Sequence, residues 1–112
     1  MKQSSFNKRE RLRKSSQFST VSRLGKRYHT EHLVVVFNPN GLAVRRLGVS
    51  VGKRAGSPVK RNYVKRLIRE FFRLNKVNSP NSHDVLVIAK EGSSELSHQV
   101  VYNELKRFFV ET

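Results

Sequence analysis

The chain is expected to fold as a single-domain α+β sandwich, in the element order α-β-β-α-β-α, with a small sheet packed by helices on one side. Three observations predict this. Leu33–Phe37 and Val85–Ala89 are short apolar runs rich in β-branched residues, as in buried strands. A third segment alternates Leu47, Val49 and Val51 with Gly48 and Ser50, the period of a strand. Between and after these strands, apolar residues recur at helical spacing. The 112 residues suffice for one modest core and not for two.

Taken in order, residues 1–10 form a basic, mobile arm that carries Lys2, Lys8 and Arg9, and residues 11–112 form the folded domain. Ser15 or Ser16 is placed to cap a short helix that buries Phe18, Val21 and Leu24, and Gly25 stops it. The Leu33–Phe37 strand ends in Asn38-Pro39-Asn40-Gly41, where proline presets φ and Asn-Gly tolerates positive φ. That turn predicts an antiparallel hairpin with the strand at 47–51. Ser57 as N-cap and Pro58 at the first helical position start the second helix. The segment from Asn75 to Asp84 reads as a loop, and Val85–Ala89 as a third, central strand. Gly92-Ser93-Ser94 is expected to cap a last helix, in which Val101, Leu105 and Phe108 share a face with Leu96, Val100 and Phe109 beside them.

The second helix carries the functional signal. At ~100° per residue, Arg61, Asn62, Lys65, Arg66, Arg69 and Arg73 fall within roughly 140° of one another. Tyr63, Val64, Leu67, Ile68, Phe71 and Leu74 occupy a separate arc suited to burial. Solvent-facing helices ordinarily mix Glu with Lys or Arg, yet Glu70 is the only acid here. Five like charges repel unless a polyanion lies across them. The whole chain follows suit: 23 Lys+Arg against 8 Asp+Glu give a net charge of +15, and a nucleic acid is the partner that such a balance fits. Lys53, Arg54 and Gly56 precede the helix start, where free amides and the helix dipole favour a phosphate.

Other classes are disfavoured. No apolar run approaches the ~20 residues of a spanning helix, and the opening residues lack the apolar stretch of a secretory signal. The expected address is the cytoplasm. With no cysteine, disulfides and thiolate metal sites are excluded. Hydrolysis of RNA by the polypeptide itself would need gathered carboxylates, but the eight acids are scattered. His29 and His32 read as residues of a polar loop before a strand rather than an acid–base pair. No catalytic and no metal-ligating residue is expected. Phe18 and Phe72 each admit two readings, core residue or stacking ring, and periodicity favours the core for Phe18.

Several blocks together resemble the protein component of bacterial ribonuclease P. They are Arg11-Leu12…Phe18…Val21, then Leu47-Gly48-Val49-Ser50-Val51-Gly52-Lys53-Arg54, and above all Arg61-Asn62-Tyr63-Val64-Lys65-Arg66-Leu67-Ile68-Arg69, which has the family's R-N-x-x-K-R-x-x-R pattern. The resemblance spans roughly residues 9–110. It implies an α/β sandwich with a left-handed β-α-β crossover, acting as a monomeric protein subunit of a ribonucleoprotein that removes the 5′ leader from precursor tRNA. In that family the RNA subunit is catalytic, and Mg²⁺ is held mainly by the RNA and the substrate. By motif, Lys53, Arg54, Arg61, Asn62, Lys65, Arg66, Arg69 and Arg73 would contact the RNA subunit. Phe18, Val36 and Lys90 would meet the precursor leader, so the resemblance moves Phe18 from core to leader contact. The family often has an aromatic residue four positions after Phe18, where this chain has Ser22. A ribosomal protein or general RNA chaperone is the competing reading, and an autonomous nuclease the third.

Overall fold

The computed structural model describes residues 11–42, 44–75, 82–90 and 96–109. Along the chain run α1 (Ser15–Leu24), β1 (Lys26–His29), β2 (Leu33–Pro39), β3 (Arg46–Val51), a 3₁₀ turn at Lys53–Ala55, α2 (Pro58–Leu74), β4 (His83–Ala89) and α3 (His98–Phe109). One four-stranded sheet has the order β1-β2-β4-β3. The α+β class stands, with one strand more than expected.

The extra strand is β1. Its sequence, Lys-Arg-Tyr-His, offers no apolar run, because it is an edge strand whose one open side is guarded by charge. It pairs antiparallel with β2, Tyr28 opposite Val35, so His29 belongs to a strand rather than to a loop. The expected hairpin of the Leu33 and Leu47 strands does not form. β4 lies between them, antiparallel to β2 and parallel to β3. Hydrophobicity explains the choice: Val85–Val87 and Leu33–Val36 are continuous apolar runs buried on both faces, whereas the apolar residues of β3 alternate with Gly48 and Ser50 and it takes the edge. The parallel β3-α2-β4 connection is the β-α-β unit that the resemblance implied.

Both faces of β2 and β4 are apolar, so both must be covered. Leu33, Val35, Val85 and Val87 face α2 and α3 in the main core, closed by Phe71, Phe72 and Phe109. Phe72 and Phe109 meet edge to face at 4.6 Å. Val34, Val36 and Leu86 face the other way and are covered by α1 through Val21, and by Leu12. Helices therefore lie on both sides of the sheet, not on one, since a continuous apolar strand has two faces to bury. Phe72 is fully buried, which settles it as a core residue. Tyr63 and Leu74, placed in the apolar arc by periodicity, are 40% and 65% exposed, because α3 covers only the middle of that arc.

Local chemistry sets the ends of the elements. Ser57 caps α2, its hydroxyl accepting from the Lys60 amide at 3.4 Å, with Pro58 in the first turn. At α1 the cap is not Ser15 or Ser16. The Gln17 side chain accepts from the amides of Lys14 and Arg13 at 3.0 and 2.8 Å. Gly25 ends the helix as expected, its amide bonded to Val21 O. The segment at 92–94 lies outside the described residues, and Ser97 supplies the hydroxyl that accepts from the Val100 amide. Along α3, Phe109 rather than Phe108 is the fully buried ring.

Two polar anchors hold the frame. Asp84 is buried at the start of β4 and takes a bidentate pair from Arg46, Nε and Nη2 both at 2.7 Å, plus Asn40 Nδ2 at 2.9 Å. That network ties β3 to β4 and closes the turn at Gly41, whose φ is +69°. Glu104 of α3 reaches the β1–β2 turn, accepting from Thr30 Oγ1 at 2.5 Å, the His32 amide at 2.9 Å and His32 Nδ1 at 2.5 Å. Burial alone would raise the Glu104 carboxyl; the hydrogen bonds from Thr30 and His32 outweigh it and hold it below its ordinary range.

Candidate nucleic-acid interface

The cationic residues of α2 emerge along the β3 edge. Val64, Leu67, Ile68, Phe71 and Phe72 turn inward, which leaves Asn62, Arg66 and Arg69 exposed and Arg61 and Lys65 half-buried. Arg66 lies 5.9 Å from the centroid of the Tyr63 ring. Arg61 Nε is sealed from solvent with no acceptor among the described residues. Arg73 differs: it pairs with Glu70 one turn back, so its charge is offset within the helix. Lys53 and Arg54 sit on the 3₁₀ turn just before α2, both exposed. Gly56 follows at φ +131°, a conformation that side chains rarely adopt, and this lets the chain swing into the helix.

A residue that sequence reasoning passed over joins this face. Arg11 bridges to Leu47 on the open side of β3, and the Leu12 amide bonds to Leu47 O at 2.9 Å. Partial burial, and after it the neighbouring Arg11 cation, hold the Arg69 guanidinium below its ordinary range. An anion placed between the two guanidinium groups would relieve their mutual repulsion. Two cations converge from separate elements.

On the opposite side of the sheet, an open cleft of about 850 Å³ runs between α1 and the strands. Phe18, Ser19, Ser22 and Arg23 of α1 form one wall; Ser50, Leu86 and Ile88 of the sheet form the other, with Arg27 of β1 at its end. Phe18 is half-buried, resting on the α1-side core while lining the cleft. The ring is thus a partial core residue with one side open to the cleft. Ser22 does not leave a gap: its carbonyl and hydroxyl accept from Arg27 Nη2 at 2.8 and 2.6 Å, which fixes a guanidinium in the cleft wall. The signal for Arg27 was the alternation of β1, which puts Arg27 and His29 on the face opposite Lys26 and Tyr28; without a recognised strand it could not be read.

The two other residues expected at the leader lie elsewhere. Val36 is fully buried beneath α1 and presents nothing to the cleft. Lys90, beyond the end of β4, donates from Nζ to Thr30 O at 2.5 Å and is not among the residues that line the cleft. Among the described residues, Glu31, His32 and Glu104 bring possible ligand atoms within 4.8 Å of one another. Both oxygens of Glu104 already accept hydrogen bonds there, so the group acts as a clamp on the fold.

A small domain of net charge +15, with a convergent cation face on one helix and an open cleft carrying an aromatic ring, has the makings of an RNA-binding protein. The model of the Ribonuclease P family matches residues 6–112. The ribonuclease P protein component of Syntrophus aciditrophicus is 44% identical over 105 residues, covering 94% of this chain and 88% of the relative. That of Thermotoga maritima is 42% identical over 91 residues, covering 81% and 78%. Among solved structures, the Staphylococcus aureus RNase P protein mutant with defective mRNA degradation activity superposes with a TM-score of 0.82 at 31% identity, covering 89% of this chain and 85% of that one. The RNase P protein of Thermotoga maritima gives 0.79 at 34% identity, covering 88% and 93%. The chain belongs to the ribonuclease P protein family. Its role is that of the protein component, a subunit of the endoribonuclease that processes tRNA 5′ ends, and its partner is the ribonuclease P RNA.

Proposed function

We propose a division of labour between the two surfaces. The α2 face, with Arg61, Asn62, Lys65, Arg66, Arg69 and Arg11, and with Lys53 and Arg54 beside it, binds the RNA subunit. The α1 cleft, with Phe18, Ser22 and Arg27, binds the 5′ leader of precursor tRNA. The observation that carries this reading is the separation of the two surfaces: the cations of α2, joined by Arg11 beside β3, stand apart from the cleft that α1 lines on the other face of the sheet. One cationic edge and one cleft on the far face of the sheet suit two RNAs at once.

The chemistry belongs to the RNA. Guanidinium and ammonium groups do not ligate Mg²⁺, and Asn62 brings the only side-chain oxygen to the helix face assigned here. That donor set does not fit a Mg²⁺ site, which wants several oxygens. The protein contributes fixed cations that lower repulsion between the RNA subunit and its substrate, so fewer Mg²⁺ ions are needed for the complex to form. Backbone contact and stacking dominate single-strand recognition, so leader binding is tolerant of sequence. The protein acts as a monomer within the ribonucleoprotein, in the cytoplasm. No described helix is long and apolar enough to cross a membrane.

The test is cleavage of precursor tRNA by a bacterial ribonuclease P RNA at low Mg²⁺. Adding the protein should restore correctly placed cleavage, and the protein alone should give none. Absence of rescue, with salt-sensitive binding to unrelated RNAs, would return the chain to a chaperone-like role.

A further inference from the structure

A second aromatic surface lies across the sheet from the α1 cleft. Between the last turn of α3 and the β1 edge is a groove of about 550 Å³, within the size range of small-ligand sites. Tyr28 meets Phe37 at 5.8 Å with planes 78° apart, and Phe108 at 5.5 Å. Phe37 in turn meets His83 at 6.4 Å and 84°. Rings set across one another line a cup rather than a flat stack, and all four are half-buried.

Two cations stand at its rim. Lys26 Nζ is 5.6 Å from the Tyr28 centroid and Arg107 Cζ is 4.6 Å from that of Phe108. The four described acids are engaged elsewhere: Asp84 with Arg46, Glu70 with Arg73, Glu104 with Thr30 and His32, and Glu31 near His32. None of them lines the groove.

From this we infer a second RNA contact, distinct from the α1 cleft: the groove takes a nucleobase of an unpaired RNA strand, with Lys26 and Arg107 on its flanking phosphates. Charge complementarity selects this occupant. Arg107 donates from Nη2 to His29 O at 3.3 Å, which is a neutral acceptor. An apolar peptide segment would satisfy the rings and leave both cations without an anion, whereas a nucleotide brings a flat π face and an anion together. The inference is independent of the leader assignment, because the two sites lie on opposite faces.

A titration of the isotopically labelled full chain with a ten-residue oligoadenylate, followed by the ring resonances in NMR, tests it. Resonances of Tyr28, Phe37 and Phe108 should shift on binding. The K26E/R107E variant changes two exposed side chains; it should weaken this response about tenfold and leave the Phe18 response within about twofold. Movement of the groove rings with Phe18 silent would support the groove and remove Phe18 from strand binding. Movement of Phe18 alone at saturation would overturn the inference, as would equal weakening of both responses in the variant.

Discussion

The ring of Phe18 rests on Gly48: a Cβ built at this strand position would stand 2.8 Å from Phe18 Cε1 and 2.9 Å from Leu12 Cδ1. The absent side chain is what lets α1 settle on the sheet with its ring turned toward the cleft. Gly48→Ala should cost about 1–3 kcal/mol of stability, the range for overpacking, and weaken leader binding with it. Chemical denaturation and a leader-binding assay check both. An alanine variant of unchanged stability would show that Gly48 does not seat the ring.

Arg27 holds its place in the cleft wall through Ser22, with two acceptors on one guanidinium nitrogen. Arg27→Ala should reduce the preference for precursor over mature tRNA by about three- to tenfold, as expected for a lost charge-assisted contact. Ser22→Ala removes only the hydroxyl and should have a smaller effect in the same direction. Affinities for the two tRNAs, measured side by side, decide it.

Asp84 is a buried carboxylate that holds Arg46 and Asn40 together. Its loss would strand the guanidinium, so Asp84→Ala should cost about 3–5 kcal/mol. Thermal unfolding reads this directly, and a loss below about 1 kcal/mol, the size of an exposed pair, would contradict it.

Glu104 gives the fold a pH dependence. Its folded-state pKa lies below the unfolded value, so the carboxylate contributes stability that is fully present above the unfolded value. The contribution is lost as pH falls through the folded value. Glu104→Gln should therefore be less stable than wild type near neutrality and converge toward it in acid. Unfolding curves from neutral pH into acid test the sign.

How far the sequence could be read depended on where the information sat. The α2 helix was legible because Ser57-Pro58 marks its start and its apolar and cationic residues segregate at one period. β1 was not, since an edge strand buries too little to require apolar residues and its four residues alternate around one tyrosine. Missing β1 also hid Arg27. The strand order could not be read from local turn chemistry, because Asn38–Gly41 makes a turn whether or not its flanks pair; the placement of β4 was decided by long-range burial of two apolar faces. Arg11 was unreadable for the same reason, as only its bridge to Leu47 at the β3 edge brings it near Arg69. Val36 was assigned to the leader from its strand, but alternation sends it under α1.

Binding measured at two sites, for two variants, tests the division of labour most directly. Arg61→Ala with Lys65→Ala removes two cations from the α2 face; Phe18→Ala removes the ring from the cleft. The helix variant should weaken RNA-subunit binding and lower its salt slope by about two, with the leader affinity little changed. The Phe18 variant should weaken leader binding by the ~1–3 kcal/mol of a stacked base and spare the RNA subunit. Equal losses in both assays for either variant would contradict the assignment of the two surfaces to two RNAs.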